Sequence, residues 1–301
     1  MTNTMTDITI SPLHDKFAAA ISGVQVAEAL TNAQFLVLRQ AFDDFGVLVF
    51  PDQRLSAGQQ QVFAERFGTL ESFPEQSMQK QSPKVYNISN VDSSGALLGS
   101  ESVQARMLKG TELWHTDSSY RAIPALASFL YALEIPPHSE IGGQTEFADM
   151  MSAFDELPGE LLERVAGRNM VHNYEFERLY VDTELPEIPL AEKLLVPPVT
   201  HPVVRYHSHN DRRSIYITSN VGNMIGGYDY EAGRSLHAEL LAYVTRPAYV
   251  YQHKWCQHDL VVWDNRRLLH RVKPYDMSRN RRIMQRTTVS DVAPPIGYKL
   301  A

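Results

Sequence analysis

Short segments rich in β-branched and aromatic residues limit what this chain can fold into. They do not alternate regularly with helices, which argues against a doubly wound parallel sheet. The 16 glycines and 17 prolines mark many separate turns. These features favour a mainly β fold, a double-sheet barrel flanked by helices. The predicted strands are Val47–Phe50, Val85–Val91, Ala127–Ile135, Ser214–Thr218, Ala248–His253, Asp259–Asp264 and Ile283–Val289.

Apolar spacing and capping residues predict four helices. Thr31 can cap a helix that runs to about Phe45 and stops at Gly46. The segment Ser56–Gln59 has the spacing of a capping box, and Gly68 follows where a helix C-terminus favours glycine. The other two helices are expected at about Leu157–Ala166 and Tyr230–Thr245.

The size and organisation of the chain favour one domain. Its 301 residues are 44% hydrophobic, enough for a substantial core. No repeat, charge block or low-complexity linker divides the sequence, so we expect a single domain over residues 1–301. The long irregular segments at about 72–111 and 174–202 are typical of active-site lids.

Charge and cysteine content narrow the partners and the compartment. The formal net charge is −7, so no nucleic-acid partner is expected. The longest apolar runs are too short to cross a bilayer, and membrane association is not expected. The single cysteine, Cys256, cannot form an internal disulfide and is expected to be a packed thiol. The first residues lack the pattern of a secretory signal, which favours the cytoplasm.

A histidine and an aspartate two residues apart form the first candidate for chemistry. In an extended backbone His115 and Asp117 point to the same side and could bind one ion. Such a pair alone is more often a surface feature beside a turn. A third candidate ligand, His270, follows a predicted strand far downstream. Two histidines and one carboxylate leave one face of a metal open, as in non-haem Fe(II) oxygenases, and a 2-oxoacid and dioxygen could fill that face.

Two arginines near the C-terminus could bind anions beside this metal. If the cosubstrate is 2-oxoglutarate, a planar guanidinium suits its far carboxylate, and Arg282 is the candidate. Arg286 faces the same way on the predicted strand, roughly 13 Å further along by backbone rise. It could bind a second anion or form a structural ion pair.

The segment from Tyr206 to Asp211 offers an alternative metal site. His207, His209 and Asp211 have spacing that also occurs in zinc hydrolases. Asn210-Asp211 is a turn signal between predicted strands, so we favour a solvated hairpin tip.

The chain resembles the taurine dioxygenase-like Fe(II)/2-oxoglutarate-dependent dioxygenases, nearest the branch that cleaves aryloxyalkanoates such as 2,4-dichlorophenoxyacetate. The resemblance covers nearly the whole chain. It is carried by Gly46–Gln53, Phe63–Gly68, Ile88–Val91, Trp114–Ser119, Gly142–Met150, Val262–Arg266 and Leu269–Arg271.

The resemblance implies a fold and a role for each site residue. The implied fold is a double-stranded β-helix, or jelly roll, of the clavaminate synthase type. His115, Asp117 and His270 would bind Fe(II), Thr145 and Arg282 the distal carboxylate of 2-oxoglutarate, and Arg286 an acidic group of the substrate. The sequence departs from the family pattern in two places. The interval from His270 to the two arginines is one residue longer, which makes Arg281 a rival to Arg282. Glu140-Ile141 is also added just before Gly142.

The implied chemistry couples decarboxylation of 2-oxoglutarate with O2 to hydroxylation of a small anionic substrate, releasing succinate and CO2. If the hydroxylated carbon bears an ether oxygen, the product collapses to a phenol and an oxoacid. Two alternatives remain: the same chemistry on an alkyl sulfonate or amino acid derivative, or a non-catalytic metal- or anion-binding barrel. The family also suggests a homo-oligomer.

Overall fold

The predicted helices and most of the predicted strands are present in the described part of the chain, together with further elements that were not predicted. The structure is a computed structural model that describes residues 8–72, 84–137, 142–176, 182, 185–219 and 225–298. The helices are α1 (Asn32–Phe45), α2 (Ala57–Glu65), α3 (Val103–Lys109), α4 (Met150–Asp155), α5 (Gly159–Val165), α6 (Leu190–Leu195) and α7 (Tyr230–Val244). The strands are β1 (Thr9–Pro12), β2 (Ala19–Ser22), β3 (Val47–Phe50), β4 (Tyr86–Ser89), β5 (Ala125–Glu134), β6 (Thr145–Asp149), β7 (Asn169–His172), β8 (Val199–Pro202), β9 (Val204–Tyr206), β10 (Arg213–Ile215), β11 (Val250–His253), β12 (Leu260–Asp264), β13 (Leu268–Val272) and β14 (Ile283–Ser290).

Two sheets face each other across an apolar core. The larger has the order β1-β2-β3-β12-β5-β14-β4, and the smaller the order β11-β6-β13. Phe147 of β6 packs against Trp263 of β12, with ring centroids 5.5 Å apart. Leu130, Leu268 and Met284 join the same buried cluster from both sheets. This is the two-sheet arrangement of a double-stranded β-helix, and the predicted mainly β fold with flanking helices is confirmed.

Helices α1 and α2 cover the outer face of the larger sheet. Ser56 forms the predicted capping box with Gln59, and Thr31, which was predicted as an N-cap, also forms a capping box with Gln34. Gly46 ends α1 at φ +70°, a conformation that side chains with a Cβ rarely adopt. Arg66 already caps α2 at its C-terminus, so this helix is shorter than the prediction that placed its end at Gly68. The helices bury a set of phenylalanines against β5, namely Phe42, Phe63, Phe67 and Phe129.

Helices α4, α5 and α7 pack beside the smaller sheet. Met150, Leu161 and Leu236 lie in one buried cluster with Leu269 of β13. The predicted helices at 157–166 and 230–245 are therefore confirmed within one or two residues at each end. None of the described helices has the length and apolar character needed to cross a membrane.

The patterns missed strands β1, β2, β6, β7, β8 and β13 and helices α3, α4 and α6, and they misjudged the cysteine. Strands β6 and β13, the centre and one edge of the smaller sheet, were not predicted. Both mix polar and apolar residues, and β13 contains His270 and Arg271, so neither reads as a β-branched run. Cys256 is exposed, which makes the expected packed thiol wrong. It lies in the turn after β11, where its side chain reaches solvent.

Consecutive arginines at the end of β12 form buried ion pairs. Arg267 donates to both oxygens of Asp149 at 2.8 and 2.6 Å, and both side chains are fully buried. Burial would raise the pKa of Asp149, but the charge and hydrogen bonds of Arg267 outweigh burial and lower it. Asp149 also accepts from the backbone at the start of α4, so the pair ties β6, α4 and the β12–β13 turn together.

Replacing Arg267 with methionine is expected to lower the free energy of unfolding by about 3–5 kcal/mol, because Asp149 would remain as an uncompensated buried charge. Arg54→Met is the matched control, since Arg54 pairs with Asp52 on the surface and both side chains are 75% exposed. That change should cost less than about 1 kcal/mol. Denaturant unfolding measures both. Equal losses in the two variants would contradict this account of the buried pair.

Candidate active site

Backbone pairing brings the three predicted metal ligands together. His115 and Asp117 lie in an extended segment before β5, and His270 lies on β13. The His115 amide donates to the His270 carbonyl at 3.0 Å, and the His270 amide donates back at 2.8 Å. This reciprocal pair fixes the two segments side by side at the edge of the smaller sheet.

The side chains of these residues converge within the space of one ion. Asp117 Oδ1 lies 3.9 Å from His115 Nε2 and 3.6 Å from His270 Nε2. The two imidazole centroids are 4.2 Å apart. All three groups offer one ligand atom within 4.8 Å of the others. The sequence prediction that these residues meet is therefore correct.

The protonation of the three groups suits a divalent cation. Burial lowers the pKa of His115, and burial followed by the neighbouring His115 lowers that of His270. His115 Nδ1 lies 2.7 Å from the Leu113 carbonyl and can only donate to it, which leaves the Nε2 lone pair for a metal. Burial would raise the pKa of Asp117, but Arg286 and then the two imidazoles outweigh it and keep the carboxylate ionised. Two neutral imidazoles and one carboxylate are the donor set of a facial Fe(II) site.

Arg286 lies directly against this cluster. Its Nη2 atom is 2.5 Å from Asp117 Oδ1, and its side chain is only 13% exposed. Burial would lower the pKa of Arg286, but Asp117 and then Tyr86 outweigh burial and raise it. The guanidinium is therefore a permanent positive charge beside the candidate metal position.

Arg282 is buried without an acidic partner among the described residues. Its backbone amide donates to Asn90 Oδ1 at 2.8 Å, and its Nε donates to the Gly143 carbonyl at 3.3 Å. Burial lowers the pKa of Arg282 to about 10. A buried cation that lacks an ion pair is unfavourable until an anion binds. The rival Arg281 instead pairs with Glu134 in a half-exposed position, so the inward-facing arginine is Arg282.

Thr145 begins β6 close to this guanidinium. It is buried, and its hydroxyl accepts from Trp255 Nε1 at 2.9 Å. Because the indole uses a lone pair, the hydroxyl hydrogen of Thr145 remains available to a ligand. Thr145 lies two residues after Gly143, whose carbonyl contacts Arg282. The added Glu140-Ile141 lies outside the described residues.

Sequence reasoning missed a buried acid beside the metal cluster. Glu71 accepts from the Ser118 hydroxyl at 2.6 Å, and burial raises its pKa. Ser118 follows Asp117 directly and has a φ of +52°. Nothing in the local sequence around Glu71 signals this contact, because the residue lies in an irregular segment far from the His-x-Asp pair.

The prediction that His207 and His209 lie at a solvated hairpin tip is wrong for His207. This imidazole is buried and its Nε2 lies 2.8 Å from Asp264 Oδ2, whereas His209 is half-exposed. His207, Asp43 and Asp264 form a second compact acidic cluster. Arg266 already neutralises it, with Nη2 at 2.7 Å from Asp264 and 3.2 Å from Asp43. A guanidinium therefore occupies the place that a second metal would need.

The two predicted lid segments touch each other. Arg106 of α3 forms an ion pair with Asp182, so the 72–111 and 174–202 segments are linked. The ring of Tyr174, in the second segment, also packs against that of Tyr120, which follows the first segment, with centroids 4.8 Å apart. Parts of both segments lie outside the described residues, and their role as lids stays a prediction.

The whole chain is similar to proteins of known activity. Residues 9–288 match the family described as "Taurine catabolism dioxygenase TauD, TfdA family". The chain belongs to this family. It is therefore a dioxygenase of the Fe(II)- and 2-oxoglutarate-dependent type, as the sequence resemblance implied.

Individual relatives match over nearly their full length. An alpha-ketoglutarate-dependent 2,4-dichlorophenoxyacetate dioxygenase of Cupriavidus pinatubonensis is 36% identical over 94% of this chain and 98% of its own. An (S)-phenoxypropionate/alpha-ketoglutarate-dioxygenase of Sphingobium herbicidovorans is 33% identical over 90% of this chain and 91% of its own. The solved structure of AAD-2 in complex with Mn(II) and N-oxalylglycine has a TM-score of 0.85 at 35% identity, covering 96% of this chain and 98% of that one.

His270→Ala is expected to weaken Mn(II) binding by more than the ~10–100-fold typical of losing an outer-shell partner, since it removes one of three candidate ligand atoms. His207→Gln is the matched control, because it alters a buried imidazole at the neutralised second cluster. Titration of each metal-free protein with Mn(II), followed by electron paramagnetic resonance of the free ion, gives the affinities. If His207→Gln lost more Mn(II) affinity than His270→Ala, the metal would bind at the His207 cluster and the assignment to His115, Asp117 and His270 would be wrong.

Proposed function

We propose that this enzyme hydroxylates a small aryloxyalkanoate whose ether bond then breaks. The observation that carries the proposal is the convergence of His115, Asp117 and His270 against Arg286 of β14, with the buried Arg282 directly before that strand. Together with the names of the relatives, this arrangement supports an anionic substrate held next to the metal.

The three converging residues would hold Fe(II). Neutral imidazoles and an ionised carboxylate supply three donors on one side of the ion, which leaves the opposite side for a cosubstrate and O2. The bound group supplies the oxidation: the substrate C–H, 2-oxoglutarate and O2 give the C–OH product, succinate and CO2. The protein contributes positioning and the exclusion of water from the buried site.

Arg282 and Thr145 would hold the distal carboxylate of 2-oxoglutarate. Arg282 is a buried guanidinium without a described acidic partner, and the Thr145 hydroxyl hydrogen is free to donate. A carboxylate would satisfy both groups and neutralise the buried charge.

Arg286 would bind the carboxylate of the primary substrate. It touches the metal-binding carboxylate Asp117, so an acid bound to it lies beside the metal. For an aryloxyacid held this way, the carbon between the carboxylate and the ether oxygen is brought towards the oxidant. Its hydroxylation gives a hemiacetal, which collapses to a phenol and an oxoacid.

Two other functions remain open to the same test. Alkyl sulfonates or amino acid derivatives also carry an anion that Arg286 could bind, and a barrel without turnover could bind a metal and anions. Oxygen uptake with Fe(II) and 2-oxoglutarate should be stimulated most by phenoxyacids, with release of the phenol. Stimulation by sulfonates or acylated amino acids alone would replace the substrate class, and no stimulation by any acid would favour the non-catalytic barrel.

Arg282→Ala should raise the KM for 2-oxoglutarate by about 10–150-fold, which corresponds to losing about 1.5–3 kcal/mol from a hydrogen bond to a charged group. Arg281→Ala is the neighbouring control and should change that KM by less than about twofold, because its partner is the surface residue Glu134. Succinate formation at varied 2-oxoglutarate measures both. A larger effect of Arg281→Ala would exchange their roles.

Arg286→Ala should chiefly raise the KM for the phenoxyacid while changing that for 2-oxoglutarate much less. Arg286→Lys keeps the charge but loses the planar fork, and should give a smaller increase. Phenol release at varied phenoxyacid concentration checks the prediction. If Arg282→Ala and Arg286→Ala impaired both ligands equally, the division of roles would be refuted.

The remaining expectations stay predictions. These are a single domain, a cytoplasmic location, a homo-oligomeric state, and the absence of nucleic-acid and membrane partners. The small organic substrate is the part of the partner prediction that the relatives support.

A further inference from the structure

A buried serine contacts the carboxylate of Asp117, and a buried asparagine contacts that serine and the Asp117 backbone amide. The Ser128 hydroxyl lies 2.6 Å from Asp117 Oδ2, and Asn265 Nδ2 lies 2.9 Å from the same hydroxyl. Asn265 Oδ1 accepts from the Asp117 amide at 3.2 Å. Ser128 and Asn265 are completely buried, and neither has a role in the reaction described above.

One donor determines the direction of the hydrogen bonds that run from Trp263 through Asn265 and Ser128 to Asp117. The indole Nε1 of Trp263 can only donate, and it lies 3.0 Å from Asn265 Oδ1. Oδ1 is therefore the carbonyl oxygen, and Nδ2 must donate to the Ser128 hydroxyl. Because Ser128 accepts from Asn265, its single hydrogen is left for Asp117 Oδ2.

The larger sheet holds these hydrogen-bonded side chains in place. Ser128 and Trp263 are register partners on β5 and β12. The Asn265 amide donates to the Leu126 carbonyl at 2.9 Å, and the Thr116 hydroxyl donates to the Asn265 carbonyl at 2.8 Å. Asn265 thus contacts the ligand segment through both its side chain and its backbone.

We propose that Ser128 and Asn265 are positioning residues that make Asp117 a one-oxygen metal ligand. Ser128 occupies Oδ2, so that Oδ1 alone faces His115 and His270. This inference rests on the proposed metal site and extends it to the groups that orient its carboxylate.

The geometry explains why orientation matters at this carboxylate. Arg286 lies against Oδ1 as well, and a carboxylate free to rotate could present both oxygens to that guanidinium. Paired in that way, Asp117 would be a poorer metal ligand. Hydrogen bonding by Ser128 removes one oxygen from this competition.

Ser128→Ala is the test, with Ser214→Ala as the matched control. Ser214 is also a completely buried serine, but its hydroxyl donates to the Ile215 carbonyl, away from the metal cluster. Metal-free proteins are titrated with Mn(II) alone, without cosubstrate, and free Mn(II) is measured by electron paramagnetic resonance. Ser128→Ala is expected to bind Mn(II) about 10–100-fold more weakly than the unmodified protein, and Ser214→Ala within twofold of it.

Circular dichroism and thermal unfolding of the metal-free variants separate positioning from folding. If Ser128→Ala fails to fold, the nearly isosteric Ser128→Cys variant is tested instead. Its S–H group is a much weaker donor than the serine hydroxyl, so Mn(II) affinity should still fall clearly. Unchanged Mn(II) affinity in a folded Ser128 variant, or an equal loss in Ser214→Ala, would overturn the positioning role. If His270→Ala also bound Mn(II) normally, the metal site itself would fail; a loss in His270→Ala alone would refute only the Ser128 and Asn265 proposal.

Discussion

The reciprocal backbone hydrogen bonds between His115 and His270 are the constraint on which the site depends. A short extended segment before β5 is thereby joined to the edge of the smaller sheet, and two imidazoles from distant parts of the chain become neighbours. Asp117 follows on the same side because successive residues of an extended backbone alternate in direction. Without this pairing the His-x-Asp segment would be an ordinary polar stretch beside a turn.

The buried arginines differ in whether a described carboxylate neutralises them. Arg266 and Arg267 are neutralised by Asp264 and Asp149, and their pKa values are raised by these partners despite burial. Arg282 has no described acidic partner, and burial lowers its pKa. The first two arginines are neutralised within the described residues, whereas we propose that a bound anion neutralises the third.

Local sequence was sufficient for the features that depend on local chemistry. The N-cap at Thr31 and the capping box at Ser56 predicted the starts of two helices, because side chain and backbone satisfy each other within four residues. The convergence of His115, Asp117 and His270 was also predicted from sequence, since these are residue types that metals need, and the family resemblance supported the set.

Features that depend on tertiary contacts were missed. His207 looked like a solvated tip because its neighbours Asn210 and Asp211 signal a turn, yet its partner Asp264 lies on β12. Strand β6 was missed because its β character comes from pairing with β11 and β13 on either side. Likewise, Ser128 and Asn265 meet only when β5 and β12 are paired, so no spacing in the sequence brings them together.

A crystal structure of the chain with Mn(II) and N-oxalylglycine, using anomalous scattering to locate the metal, tests the central claim most directly. We expect one Mn(II) ion bound to His115 Nε2, His270 Nε2 and a single oxygen of Asp117, with the far carboxylate of N-oxalylglycine on Arg282. An ion bound instead by Asp43, His207 and Asp264, or an N-oxalylglycine carboxylate that does not contact Arg282, would contradict it.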